Sequence, residues 1–213
     1  MKKLRLIGIL LMLPFISSYA QVTIDKNVNL TGAGDEATLR IAGNIFVRAI
    51  GTSTLLGNTQ NTTNSGSDNI FIGYQAGKSN TTGTYNTFIG RGAGYTNTTG
   101  VANLFLGVDA GSANLSGAEN IFIGYRAGRL NSSGGANICV GYAAGDSGNG
   151  SYNTLIGPEF AGGVIGSGSR NIMIGDRVGY LSSGSNNIFL GEKAGFNTTG
   201  NYNNRRLHVN KIG

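Results

Sequence analysis

Between residues 69 and 203 one pattern of polar and apolar positions restarts nine times: an Asn, three mostly apolar residues, a Gly, then a turn of small residues. The restarts fall at Asn69, Asn86, Asn103, Asn120, Asn137, Asn153, Asn171, Asn187 and Asn203, spaced by 16, 17 or 18 residues. A period this regular predicts a stack of near-identical coils. Taking each Asn as position 0, position 1 reads Ile70, Thr87, Leu104, Ile121, Ile138, Thr154, Ile172, Ile188; position 2 reads Phe71, Phe88, Phe105, Phe122, Cys139, Leu155, Met173, Phe189; position 3 is Ile, Leu or Val throughout; and position 4 is Gly in each of these eight units. Short β-branched and aromatic runs bounded by Gly are strands. Strand side chains alternate, so positions 1 and 3 share one face and position 2 takes the other. Both faces are apolar, as in sheets covered on both sides. One face is expected to line the coil. The Phe face is expected to meet a neighbouring chain, because the pairs left to cover it, such as Ala76-Gly77, Ala93-Gly94 and Ala110-Gly111, are small. Phe71, Phe88, Phe105, Phe122 and Phe189 are therefore candidate chain-interface residues.

The second half of the unit is turn chemistry: Asn80-Thr81-Thr82-Gly83, Asn97-Thr98-Thr99-Gly100, Asn114-Leu115-Ser116-Gly117, Asn131-Ser132-Ser133-Gly134 and Asn197-Thr198-Thr199-Gly200. Gly supplies positive φ there, and Asn, Ser and Thr cap local amides. The expected fold is all-β, a parallel β-solenoid (β-roll) of 16–17-residue coils, each with two short strands and two turns. Coils stacked at the spacing of a sheet, about 4.8 Å, would make nine of them a rod of roughly 40 Å. The position-0 Asn side chains are expected to bond to one another up the stack. Thr54-Leu55-Leu56-Gly57 fits a degenerate first coil, residues 21–52 fit a cap over the open sheet edge, and Pro158-Glu159-Phe160-Ala161-Gly162 fits a bulged turn.

The ends differ from the repeat. Lys2, Lys3 and Arg5 precede an apolar run over residues 6–16 and a small-residue site, Ser18-Tyr19-Ala20, so residues 1–20 read as a secretory signal. The assignment is then 1–20 signal, 21–52 N-terminal cap strands, 53–204 repeat region and 205–213 C-terminal linker. No later stretch is long and apolar enough for a spanning helix. Setting aside the three signal cations leaves 13 basic residues against 10 acidic, scattered along the chain, which predicts no nucleic-acid partner. Gly makes up 37 of the 213 residues, far above the usual ~7%, yet at fixed places and without a Gly-X-Y period, which excludes collagen. The single Cys, Cys139, falls in an apolar strand slot and reads as a buried thiol.

No set of residues reads as a catalytic or metal centre. His208 is the lone His and lies in the linker; Asp25, Asp35 and Glu36 read as a solvated loop; the repeat-region carboxylates occupy differing turn positions. No cofactor is expected. Aromatic residues are the candidate contacts. Tyr74, Tyr125 and Tyr142 follow the first Gly, Tyr95, Tyr180 and Phe196 the second, and Tyr85, Tyr152 and Tyr202 precede the next Asn. Of these Tyr74, Tyr125, Tyr142, Tyr95 and Tyr180 are the candidate surface contacts, as a platform for sugar or protein. The Asn-x-Thr/Ser matches fall in one turn slot, so turn chemistry explains them before glycosylation does.

The segment Asn-Ile-Phe-Ile-Gly-Tyr-Gln-Ala-Gly (69–77) and its copies resemble the head repeats of trimeric autotransporter adhesins. The resemblance covers about residues 53–204. It rests on the Ile-Gly and Ala-Gly pieces; the period here is longer than that family's, and the bulky Phe departs from it. Asn-Thr-Phe-Ile-Gly, Asn-Thr-Thr-Gly and Arg206-Leu207-His208-Val209-Asn210 look like secreted tail-fibre-like bacterial surface proteins. The resemblance implies a side-by-side homotrimer, secreted or held at the outer cell surface, with a structural and adhesive role towards a host protein or glycan. It also implies a longer parent protein, since Gly213 falls where a further module is expected. The competing readings are a carbohydrate-active parallel β-helix enzyme, which would need aligned carboxylates, and an ice-binding solenoid, which would need a flat Thr array.

Overall fold

The structure is a computed structural model that describes residues 36–41, 44–50, 53–56, 64–162 and 167–206. The signal segment, residues 22–24 of the expected cap and His208 lie outside the described residues. Twelve strands form one sheet in chain order: β1 (Glu36–Ile41), β2 (Asn44–Ile50), β3 (Ser53–Leu56), β4 (Ile70–Ile72), β5 (Thr87–Ile89), β6 (Leu104–Leu106), β7 (Ile121–Ile123), β8 (Ile138–Tyr142), β9 (Thr154–Glu159), β10 (Ile172–Ile174), β11 (Ile188–Leu190) and β12 (Asn204–Arg206). From β3 onward every neighbour is parallel, through nine successive pairings. The chain is a parallel β-solenoid. Like positions pair with like: Ile70 with Thr87, Phe71 with Phe88, Ile72 with Ile89. β3 joins β4 in the same phase, Thr54 against Ile70, as expected of a degenerate first coil. β1 and β2 continue the sheet as antiparallel strands, β2 lying along β3, so the edge at that end is covered by the chain itself. β12 carries the parallel ladder into Arg205 and Arg206, which the sequence assigned to the linker.

Each described coil holds one three- to six-residue strand, where two were expected. The remainder is turn, and the turns carry their own ladder. Gly77 donates its amide to Ala93 O, Gly94 to Ala110 O and Gly111 to Ala127 O, at 2.9–3.0 Å. Backbone groups that leave the sheet are therefore paired with the coil above, which a buried backbone requires. The residue before each position-0 Asn turns the corner in the left-handed region, with φ of 55–62° at Asp68, Tyr85, Ala102, Glu119, Ala136, Tyr152, Arg170, Asn186 and Tyr202. β8 and β9 share a register shift between Val140 and Tyr142, where Tyr142 pairs with Glu159; this is the expected irregularity at residues 158–162.

The Phe column is inside the coil. Phe71, Phe88, Phe105, Phe122 and Phe189 are 0% exposed in the single chain. The assignment of these five to a chain interface is therefore corrected: no ring surface is left for a neighbour. The small pairs that looked unable to cover a ring are small because the ring fills their space. A methyl group at Gly77 would meet the ring of Phe71 at 2.6 Å, and Ala76 is fully buried beside it. Phe71, Phe88, Phe105 and Phe122 stack at 4.8–5.0 Å between centroids with planes within 8°. Burying each ring contributes roughly 2–3 kcal/mol.

Two Asn ladders flank the rings. In the position-0 ladder Asn103 N–H donates to Asn86 Oδ1 at 3.0 Å, and Asn103 Nδ2 donates across the coil to Gly117 O at 2.8 Å. The same pattern recurs to Asn203, as the repeat predicts. The second ladder was not anticipated. Asn80, Asn97, Asn114 and Asn131, whose residue type reads as turn caps for local amides, are buried at 0–2% exposure, and each of the last three donates Nδ2 to the Oδ1 of the one before at 2.7–3.1 Å. Their amides are thereby committed to the core, which closes these four Asn-x-Thr/Ser slots to glycosylation in the folded chain.

Candidate functional site

With the Phe row turned inward, positions 1 and 3 point outward. Ile70, Leu106, Ile121, Ile138, Ile172, Ile174 and Ile188 are all exposed, Ile70 by 42%. Across β4–β11 the outward face at positions 1 and 3 carries no charged residue, and Thr87 and Thr154 are its polar members. The seven parallel pairings from β4 to β11, at about 4.8 Å each, extend this aliphatic ribbon over roughly 34 Å.

The aromatic candidates separate into distinct surroundings. Tyr125 and Tyr142 stack on each other at 5.2 Å, so each covers one face of the other, and the Arg126 guanidinium lies 5.0 Å from the Tyr125 centroid. Tyr142 meets Phe160 edge-on at 5.6 Å, Phe160 meets Tyr180 at 5.8 Å, and Tyr180 meets Phe196 at 5.7 Å. The two expected columns are thus joined into one ridge over five coils, with Phe160 of the irregular turn as the link. Phe160 was not a candidate; only its place at the break in the period could have drawn attention to it. Tyr74 stands outside this ridge, 47% exposed. Tyr95 is half-buried beside Lys78, whose Nζ lies 3.2 Å from its hydroxyl and 5.2 Å from its ring centroid.

Charged side chains pair along the turns, coil to coil. Arg129 forks onto Asp146, with Nε at 2.7 Å and Nη2 at 3.2 Å from the two carboxylate oxygens, and this bond holds its guanidinium above the ordinary range. Arg177, on an exposed turn, donates Nε and Nη2 to a single oxygen, Oε2 of Glu159, and this bond likewise raises its guanidinium. Arg91 approaches Asp109 at a looser 3.7 Å. Burial pushes the Cys139 thiol well above its ordinary value. Among the described residues no group of His, Cys, Asp and Glu could hold a metal ion, and no helix is long and apolar enough to cross a membrane.

One irregularity lies within the core. Cys139 takes the place of a ring between Phe122 and Leu155, and Gly148 adjoins it where no side chain continues the second Asn ladder. A small cavity of about 10 Å³ remains, and the buried Asn131 Oδ1 at its border has no hydrogen-bond donor. Comparison with known proteins gives no relative: no family model, curated protein or solved structure matches this chain. The class that the fold itself defines is a parallel β-solenoid with an uncovered aliphatic sheet face.

Proposed function

We propose that this chain is a rigid structural and adhesive rod, exported to the cell surface or beyond it. In this reading it assembles side by side as a homotrimer and presents its turns to a host protein, glycan or matrix. The observation that carries the reading is the outward ribbon of positions 1 and 3. Parallel sheets are almost always covered on both faces, and here the inner face is filled by the Phe column while the outer face is bare aliphatic. A ribbon about 34 Å by 10 Å amounts to roughly 340 Å², less than half the ~800 Å² that each partner of a standard stable pair buries. A simple face-to-face dimer therefore falls short. In a three-fold arrangement the position-1 and position-3 rows meet different neighbours, and the flanking turns add contact on both sides. The role is structural and not enzymatic: the described acidic residues are spread over separate turns, and several are already paired with Arg. An ice-binding role is disfavoured because Thr54, Thr87 and Thr154 interrupt an aliphatic row without forming one.

Light scattering after size exclusion tests the assembly. About three chain masses are expected, against 22.0 kDa for one chain. The double substitution Ile121→Lys, Ile172→Lys is expected to give a monomer whose circular dichroism is unchanged, since both side chains already face outward. A wild-type monomer at micromolar concentration would overturn the trimer.

A further inference from the structure

Over one stretch of the turns the surface sinks. A depression of about 450 Å³ opens beside Arg91, Gly92, Tyr95, Asp109, Ser112 and Arg129, contributed by three successive coils and the edge of a fourth. Its volume lies in the range of small-molecule sites. It exists because two slots lose their bulk. Position 6, which is Gln75, Asp109 and Arg126 in neighbouring coils, is Gly92 here; position 9, which is Lys78, Tyr95 and Arg129 in neighbours, is Ser112. The Asp109 carboxylate leans into the space over Gly92, where a methyl group would meet Oδ1 at 2.6 Å.

The groups around the depression differ in how firmly they are held. Arg129 is fixed by its two bonds to Asp146. Tyr95 is braced by Lys78. Arg91 is not fixed: its side chain is 62% exposed, and its nearest ion partner, Asp109, is 3.7 Å away. A guanidinium presents five donors in a planar fork suited to a carboxylate, and a 3.7 Å contact to one oxygen leaves most of that fork unused. Lys78, Arg91 and Arg129 outnumber Asp109 and Asp146, so the local balance is positive.

We infer that this depression is a subsite for an acidic saccharide, with the Arg91 guanidinium taking a uronate carboxylate, Asp109 accepting from ring hydroxyls and Tyr95 bordering the sugar's apolar face. The inference rests on the reading of the turns as the contact surface, and it does not depend on the trimer. The ridge from Tyr125 to Phe196 is a weaker sugar platform, because Tyr125 and Tyr142 each cover one face of the other.

Calorimetric titration of the full chain with trigalacturonic acid, and separately with the neutral galactotriose, tests it at low salt. Millimolar or tighter binding of the acid is expected, with the neutral sugar about tenfold weaker or worse, and added salt should weaken the acid's binding. Arg91→Ala and Ser112→Tyr are each expected to weaken the acid's binding about tenfold while leaving circular dichroism and the scattering mass unchanged. Arg170→Ala, a cation removed well away along the rod, should leave binding intact. The assignment is overturned if neither sugar binds at millimolar concentration, if both bind equally, or if Arg170→Ala weakens binding as much as Arg91→Ala. Because scattering mass is read on the same samples, failure of the subsite is distinguishable from failure of the assembly.

Discussion

Gly111 lies against the ring of Phe105 so closely that a methyl group on its α-carbon would stand 2.5 Å from the ring carbon Cε2. Its φ of +55° adds a second reason for glycine. Gly111→Ala is therefore expected to destabilise the chain by about 2–4 kcal/mol, through overpacking and backbone strain together. Phe105→Leu removes ring atoms from the same space and should cost about 1–2 kcal/mol alone. The double variant should be more stable than the sum of the two by about 1 kcal/mol, since the smaller side chain makes room for the methyl. Urea unfolding of all three measures this; strict additivity would mean that ring and glycine do not share the strain.

The position-0 ladder makes a different demand. Asn103 accepts from the backbone N–H and Nδ2 of Asn120 and donates its own Nδ2 to Asn86 Oδ1 and Gly117 O. Asn103→Asp keeps the acceptor and replaces the donor with an oxygen facing two other oxygens in a buried site. Both the burial and the repulsion hold the introduced carboxyl above its unfolded value of about 3.9. The penalty is accordingly absent below that value, grows as pH rises towards the folded value, and is complete above it. A loss of about 3 kcal/mol or more is expected at neutral pH, recovered in part near pH 3. A loss independent of pH would show that the carboxyl titrates alike in the folded and unfolded chain, so that the site does not resist its charge.

These residues also show how far the sequence could be read. The period of 16–18, the parallel in-phase strands and the position-0 ladder follow from one recurring string, because a stacked coil repeats its environment as well as its residues. The orientation of each strand does not follow from it. Ile-Phe-Ile is apolar on both faces, and alternation alone cannot say which face lines the coil. The small size of Ala76-Gly77 suggested that Phe71 lacked a cover, when it records that the ring occupies that space. The second ladder was hidden for a similar reason: Asn80-Thr81-Thr82-Gly83 is polar turn chemistry whether Asn80 points out or in. The left-handed corner at Tyr85 and Ala102 leaves no trace in residue type at all. The depression beside Arg91 was visible only as the exchange of bulky residues for Gly92 and Ser112, which becomes informative once those slots are known to share a surface.

Cys139 should behave as an inert thiol while the chain is folded. Burial raises its folded value well above the ordinary value of 9.0. Below that ordinary value both states keep the proton and pH has no effect through this group. As pH rises beyond it, the unfolded chain releases the proton and the folded chain does not, so stability falls by up to about 1.4 kcal/mol per pH unit. Cys139→Ala should lack this alkaline slope. The wild-type thiol should react with a disulfide reagent only at the rate of unfolding. Rapid stoichiometric labelling of the native chain would place the thiol in contact with solvent and remove both expectations.

The end of the second ladder offers room for improvement. Asn131 Oδ1 is buried without a donor, on a cavity bordered by Gly148. In the coils below, the equivalent oxygens of Asn97 and Asn114 are each met by the Nδ2 of the next Asn, at 2.8 and 3.1 Å. Gly148 is not among the residues with positive φ, so a side chain there meets no left-handed strain. Gly148→Ser would introduce one hydroxyl donor beside the unmatched acceptor and reduce the freedom of the unfolded chain at that residue. Each effect is worth about 0.5–1 kcal/mol, so a net gain of about 1–2 kcal/mol is expected in urea unfolding. The control is Gly148→Ala, which brings the entropic gain without the donor and should recover about half of it. If serine and alanine stabilise equally, the hydroxyl does not reach Asn131, and the ladder ends there for want of space and not for want of a donor.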